Sequence, residues 1–514
     1  MVSQSAAPRT GSTDINEQPR SALKTGGTLN LSIQQWISQY NVGQVDGTQG
    51  DAQAILAMTQ PRLWFLDESA KPSPNPDVLA AAAVTGTNPQ VVTYKLNPAA
   101  IWSDQTPITW QDFATQWKTR NGADKRFQIS GSTGYDVIAN VEKGADEREV
   151  KVTFREPYAD WQSLFDPLLP GTALDTPAEF NTGWIEKVPV WGGPWKIGTA
   201  DKTAQTITLV PNPGYWGVKP VLDSVVFRAL DSAAITDAYL NSEIDQAPGR
   251  QPDDYKRLAG AARTKIRSGG RWDLTVLTLG SKGPLADVRV RQAIGAAIDR
   301  DAIAKAQSSG LPFAVHTVGN HFLMPSQDGY ADNAAEYGKL DLARAKSLLE
   351  QAGYAGKPLK LTYVVSASST STVPQLIQNM LAQAGITIEL RKVPGNDFFE
   401  KYVNTGSFDL VSFRNVDQVF PSLSYPVFLS NGEQNYGRIG SPEIDKLIGQ
   451  AAAETDHPKQ IPLLNQIDVL LWQEEHSIAL FQTPQILAVR DGLANFGAFG
   501  LRDDRQYVEV GYLK

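Results

Sequence analysis

Apolar and polar positions along this chain follow two periods, one of two residues and one of three to four, and the period changes wherever glycine, proline or asparagine intervenes. After Gly26-Gly27, Thr28-Leu29-Asn30-Leu31-Ser32-Ile33 alternates residue by residue and predicts a strand ending in the polar and aromatic stretch Gln34 to Asn41, a loop. A second alternation around Tyr94 and Leu96 leads into Ile101-Trp102-Ser103-Asp104 and turns through Thr106-Pro107. Thr109 then N-caps a helix carrying Asp112, Phe113 and Trp117. Val150 to Phe154 reads as a strand, and Trp161 to Leu169 as an apolar, proline-terminated helix. From Pro189 onward strands and tight turns take over, with Trp191-Gly192-Gly193-Pro194 and Asn212-Pro213-Gly214-Tyr215-Trp216-Gly217 at the punctuation points.

The second half reads as a separate α/β lobe. Pro284 to Ile294 starts a helix with Val290, Ile294, Ala297 and Ile298 on one face, closing with Asp299-Arg300. Asp341 caps a helix striped by Leu342, Ala345, Leu348, Leu349 and Ala352, and Gly353 stands just beyond it. Strand Leu359 to Val365, helix Val373 to Ala384, strand Ile386 to Leu390, helix Asp397 to Asn404 and strand Phe408 to Phe413 then alternate. Such a succession predicts a parallel sheet covered by helices. Ligands of open α/β sheets bind beyond the carboxyl ends of the strands, which puts Arg414 to Pro421 where a ligand should sit.

Composition narrows the function. At 514 residues and 41% apolar content the chain exceeds what one core supports, so two or three domains are expected. No window approaches the roughly 18 uncharged apolar residues of a membrane helix. Met1 followed by the Ser, Thr, Pro and Gln-rich stretch to Thr25 reads as the flexible leader of a mature exported protein with an added start codon. The absence of cysteine removes disulfides, thiolate catalysis and Cys-based metal sites. A net charge of −8, from 47 basic and 55 acidic residues mixed along the chain, argues against nucleic acid as a partner. The four histidines, His316, His321, His457 and His476, have no metal-ligand spacing. Neither a Gly-x-Ser-x-Gly elbow, a phosphate-cradling loop nor a His-Glu-x-x-His element is present. No enzyme, cofactor or metal site is expected.

The segment Val92 to Trp117, VTYKLNPAAIWSDQTPITWQDFATQW, resembles the signature of the extracellular solute-binding proteins of ABC importers, in the peptide, nickel and oligosaccharide class. Gln105 stands where that pattern usually has glycine. The turns at Gly192-Gly193-Pro194 and Asn212 to Gly217, the element Ser242-Glu243-Ile244-Asp245 and the helix from Pro284 are similar to the same family. The resemblance covers nearly all of the chain from Gly26. It implies an α/β, two-lobed periplasmic-binding-protein-like fold of type II, cluster C, with an inserted small subdomain and a hinge. The expected division is a leader over 1–25, a discontinuous first lobe of 26–57, 186–274 and 478–514, an inserted subdomain over 58–185, and a second lobe over 275–477.

By the same resemblance, peptide-binding members carry an acidic residue shortly after the last strand named above, with proline four residues on, and its carboxylate pairs with the ligand's α-amino group. Asp417 and Pro421 fit that pattern, and a loop-capping role for Asp417 is the alternative. The strand end Phe413, Arg414, Asn415 and Val416 lies beside it. Trp36, Tyr40, Trp191 with Gly192, Trp272 and Tyr425 stand at strand ends and are candidates for tuning ligand preference, each equally suited to a core. Arg271 and Arg414 are candidates for a ligand carboxylate, or for ordinary surface ion pairs. The implied function is capture of oligopeptides by hinge closure and delivery to ABC permease subunits. The expected form is a monomer held by a lipid at the extracellular face of the cytoplasmic membrane. A nickel complex, haem or an oligosaccharide as ligand, or a pocketless interaction protein on the same fold, are the alternatives.

Overall fold

The alternation in Thr28–Ile33 becomes strand β1 of the computed structural model, which describes residues 13–514 apart from 368, 370, 504 and 505. Leu29, Leu31 and Ile33 are buried while Thr28 is exposed, so one face of the strand is committed to a core. The chain divides into two units, residues 13–269 with 485–514, and residues 270–484. It passes from the first to the second within one long strand, Thr264–Leu279, and returns within another, Ser477–Arg490.

The first unit continues with β2 (Leu79–Thr87), β3 (Gln90–Leu96), β4 (Ile138–Lys143), β5 (Glu149–Phe154), β6 (Trp195–Asp201), β7 (Thr206–Pro211) and β8 (Ser224–Ala229). One sheet has the order β1-β8-β7-β6, with β1 and β8 parallel and the rest antiparallel. Its core takes Ile55, Leu56 and Met58 from helix α1 (Gly50–Thr59) and Leu487, Val489, Leu493 and Phe496 from the returning segment. The other sheet, β2-β3-β5-β4, is antiparallel and has its own apolar cluster, running from Leu63 to Leu168. Tyr94, Phe113 and Phe165 meet at its centre with ring centroids 5.0–6.2 Å apart.

Helix α2 (Trp110–Arg120) starts where Thr109 predicts it, and the cap is reciprocal. The Thr109 hydroxyl accepts from the Gln111 amide, and the Asp112 carboxylate accepts from the Thr109 amide at 2.8 Å. Asp112 also accepts from the Trp102 indole at 3.2 Å and the Gly171 amide at 2.8 Å. The Trp102, Thr109 and Asp112 of the signature segment thus tie a buried corner together. Gln105 in its turn adopts a left-handed backbone, φ +70°.

Two expectations fail in this unit. Trp161 to Leu169 is not a helix: only Trp161–Ser163 makes a 3-10 turn, and Phe165 is left-handed at φ +61°. Pro167 lacks an amide donor and disfavours helical backbone before it. Asp166 is drawn instead to Arg62, which donates three hydrogen bonds to it at 2.7–3.0 Å and a fourth to Asp503 at 2.7 Å, with Arg62 and Asp503 buried and Asp166 mostly so. The flexible leader expected over 1–25 also changes. Residues 1–12 lie outside the described residues, while Asp14 pairs with Ala498 and Leu23 with Leu513, and Ile15 and Leu23 are buried.

In the second unit, β9 (Thr264–Leu279), β10 (Leu359–Ser366), β11 (Ile386–Val393), β12 (Leu410–Val416) and β13 (Ser477–Arg490) pair in the order β13-β9-β12-β10-β11. β10 is parallel to β11 and β12, but β9 is antiparallel to β12, so the sheet is mixed rather than parallel throughout. The helix from Pro284 is three pieces: a 3-10 turn Gly283–Ala286, α3 (Val288–Ala296) and α4 (Arg300–Gln307). Asp299 therefore opens α4, its carboxylate accepting from the Ala302 amide at 2.8 Å, and does not close the preceding helix. α5 (Leu342–Gln351) and α6 (Val373–Gln383) fall where expected, whereas Asp397 to Asn404 widens into a π turn over Phe398–Val403.

Candidate functional site

β12 is longer than its apolar pattern suggests. Arg414, Asn415 and Val416 are within the strand rather than beyond it, because β9 supplies hydrogen-bonding partners down to Asp273 opposite Val416. Pairing continues for one more residue, the Asp417 amide donating to the Trp272 carbonyl at 2.9 Å. Asp417 is left-handed, φ +55°, a conformation aspartate tolerates, and the chain leaves the sheet there.

Antiparallel pairing alternates side chains across the two faces. Arg271 and Asp273 of β9 share a face with Arg414 and Val416 of β12, and two ion pairs form on it. Nη2 of Arg271 reaches both carboxylate oxygens of Asp417 at 2.8 Å. Nε of Arg414 lies 3.0 Å from Oδ1 of Asp273, which is 2% exposed. The Arg271 backbone is fixed by Gln482, whose amide nitrogen donates to the Arg271 carbonyl at 2.6 Å. On the opposite face Phe413 is half-buried, 6.1 Å from the exposed ring of Phe399 and 5.9 Å from Tyr436. The strand end therefore presents fixed charges of both signs on one face and an aromatic strip on the other.

The remaining candidates take other positions. Trp272 is 1% exposed with its indole 3.4 Å from the Phe322 carbonyl, and Tyr425 packs on Phe322 in the cluster around Ile444, Ile467 and Leu471. In the first unit Tyr40 is 1% exposed in the core beneath β1, and burial pushes its hydroxyl far above the usual tyrosine range. Trp36 and Trp191 are half-buried against that core, and the Trp191 amide and carbonyl pair with Ser103. The Gly192 amide donates to the Thr59 carbonyl at 3.1 Å, and a Cβ there would stand 2.8 Å from the Trp102 ring, so the glycine serves a close approach. Asp273, Gln482, Phe399 and Tyr436 complete the β12 edge and were not among the sequence candidates. The one sequence signal for Asp273 is its i+2 spacing from Arg271 in the same strand.

Among the described residues no group of three or more His, Asp or Glu side chains could hold a metal, and no helix is long and apolar enough to cross a membrane. The chemistry available at the β12 edge is recognition of charged and aromatic groups.

The family model for bacterial extracellular solute-binding proteins, family 5, middle region, matches residues 74–437, and the chain belongs to that family. It is 38% identical over 521 aligned residues to the oligopeptide-binding protein OppA of Mycobacterium tuberculosis, across 98% of this chain and 87% of that protein. Among solved structures, the periplasmic EDTA-binding protein EppA superposes with a TM-score of 0.88 at 28% identity, covering 97% of this chain and 98% of that one. The oligopeptide-binding protein AppA of Bacillus subtilis, in complex with a nonapeptide, gives 0.80 at 19% identity over 96% and 100%. The fold is the α/β fold of type II periplasmic binding proteins, cluster C.

Proposed function

We propose that this chain is the substrate-binding component of an ABC importer and captures oligopeptides or peptide-like solutes for a membrane permease. The observation that carries this reading is the 38% identity, across 98% of the chain, to a protein described as oligopeptide-binding. The ligand's amino end would meet Asp417, with Arg271, Arg414, Asn415 and Val416 around it and Phe413 offering an aromatic surface. Trp36, Trp191 and Gly192 are proposed as contacts from the first unit, with Tyr40, Trp272 and Tyr425 as the packed support behind exposed neighbours. Ligand contacts made only in a closed state would drive closure about the strands β9 and β13. The chain turns over no substrate itself in this reading. It works as a monomer at the outer face of the cytoplasmic membrane, where relatives described as lipoproteins suggest a lipid anchor.

A second reading has its own support. The likeness to an EDTA-binding protein, at 28% identity and a TM-score of 0.88, favours an amine-bearing polycarboxylate over a peptide. Native mass spectrometry of the purified protein, followed by release and identification of what it carries, separates the two. A ladder of peptide masses is the expected result; one defined non-peptide mass would replace the peptide reading with the ligand found.

A further inference from the structure

The carboxylate assigned to the ligand's ammonium is already taken. Nη2 of Arg271 bridges both oxygens of Asp417 at 2.8 Å. The backbones under both side chains are pinned, by the Gln482 amide on the Arg271 carbonyl and by the Asp417 amide on the Trp272 carbonyl. The side chains themselves are 34% and 62% exposed, so this pair can open without moving the sheet. The neighbouring pair differs. Arg414 faces Asp273, whose side chain is 2% exposed, so that pair is held on its acidic side by burial. Arg271 is the member of the four-charge group that is free to exchange partners.

Resting on the assignment of Asp417 as the amine contact, we propose that Arg271 is a resident counter-ion of that site. It selects ligands that carry an acidic group beside their free amino group. Two arginines and two aspartates leave this edge electrically balanced. An incoming ammonium that takes Asp417 leaves the Arg271 cation without that partner and next to the ligand's own positive charge. A ligand carboxylate next to the ammonium restores the balance by accepting from Arg271, whose planar donor array suits it. A ligand with a neutral side chain there breaks the resident pair and replaces only half of it. The favoured ligand class is therefore a peptide with Asp or Glu in its first or second position, or another compact amino-carboxylate.

The test is calorimetric titration with two peptides that have free amino ends and differ only in Glu or Gln at the second position. Wild type is expected to bind the Glu peptide at least fivefold more tightly than the Gln peptide. Arg271→Gln should erase that ratio and bind the Gln peptide no more weakly than wild type does, while Arg271→Lys should keep a preference for Glu. An equal ratio in wild type and Arg271→Gln would overturn the proposal; if Asp417→Asn then weakens both peptides, the amine contact itself survives. Unchanged binding of both peptides by Asp417→Asn would overturn the contact and the counter-ion together. Failure of wild type to bind either peptide would remove the peptide reading on which both depend.

Discussion

Arg62→Met removes the cation shared by Asp166 and Asp503 while keeping most of the apolar stem of the side chain. Four hydrogen bonds disappear, three to Asp166 at 2.7–3.0 Å and one to Asp503 at 2.7 Å. The Arg62, Asp166 and Asp503 side chains are only 7%, 10% and 5% exposed, so water cannot take over as partner. Asp166 keeps the Leu63 amide at 2.7 Å, which offsets part of the loss on that side. Breaking a buried pair typically costs about 3–5 kcal/mol, and two carboxylates left facing each other argue for the upper half of that range. Urea unfolding followed by tryptophan fluorescence reads the effect. With a slope of about 3 kcal/mol per molar, the midpoint should fall by about 1.3–1.7 M at constant slope. Combining Arg62→Met with Asp166→Asn and Asp503→Asn should recover much of the loss, because the penalty lies in buried negative charge that has lost its cation rather than in packing. A midpoint shift under about 0.3 M in the single variant would refute the reasoning, since that is worth about 1 kcal/mol, the value of an exposed pair.

Asp417→Asn is expected to weaken a free-amine peptide ten- to hundredfold by calorimetry with an unchanged melting temperature, and to leave an N-acetylated peptide unaffected; equal affinity for the free-amine peptide would remove the amine contact. Gln105→Gly, at φ +70°, should relieve about 0.5–1 kcal/mol of backbone cost and raise the melting temperature by roughly 0.5–1.5 °C, whereas a lowered value would mean that the Gln105 side chain matters more than its backbone. Burial first, then electrostatic interaction with His321 and Arg291, holds His476 down at about 3 against an ordinary 6.5. The unfolded chain takes up that proton below 6.5 and the folded chain does not, so His476 erodes stability as pH falls from 6.5 toward 3 and has no such effect above it. His476→Leu should accordingly show a shallower decline of the urea midpoint between pH 6.5 and 4, and parallel profiles for variant and wild type would contradict this.

Elements whose causes are local were legible in the chain. β1 rests on its own alternation, α2 on Thr109 and Asp112 three residues apart, and α5 on Asp341 at one end and Gly353, φ +89°, at the other. Trp161 to Leu169 misled because a short apolar run has no period of its own, and Pro167 with the distant Arg62 decided its course. The reach of β12 was hidden for a related reason: Arg414 to Val416 look like a loop until β9 is laid beside them. Asp417 and Arg271 were each visible as candidates, but their contact joins residues 146 positions apart and belongs to the sheet rather than to either segment. Aromatic residues at strand ends carried no signal to separate Tyr40 or Trp272, both packed inside, from Phe413, which is half open.

The pairing of Asp14 with Ala498 and of Leu23 with Leu513, together with Leu487 to Phe496 in the core under β1, has a consequence for biogenesis. A ribosome adding about 5–20 residues per second needs roughly 25–100 s to pass from Leu23 to Leu513. Until then the first unit lacks one wall of its core and the partners of Asp14 and Leu23, so its folding must wait until the segment from Leu487 to Leu513 has been made. For a family of extracellular solute-binding proteins, such a delay is the interval in which a chain is still open enough to pass through a membrane pore.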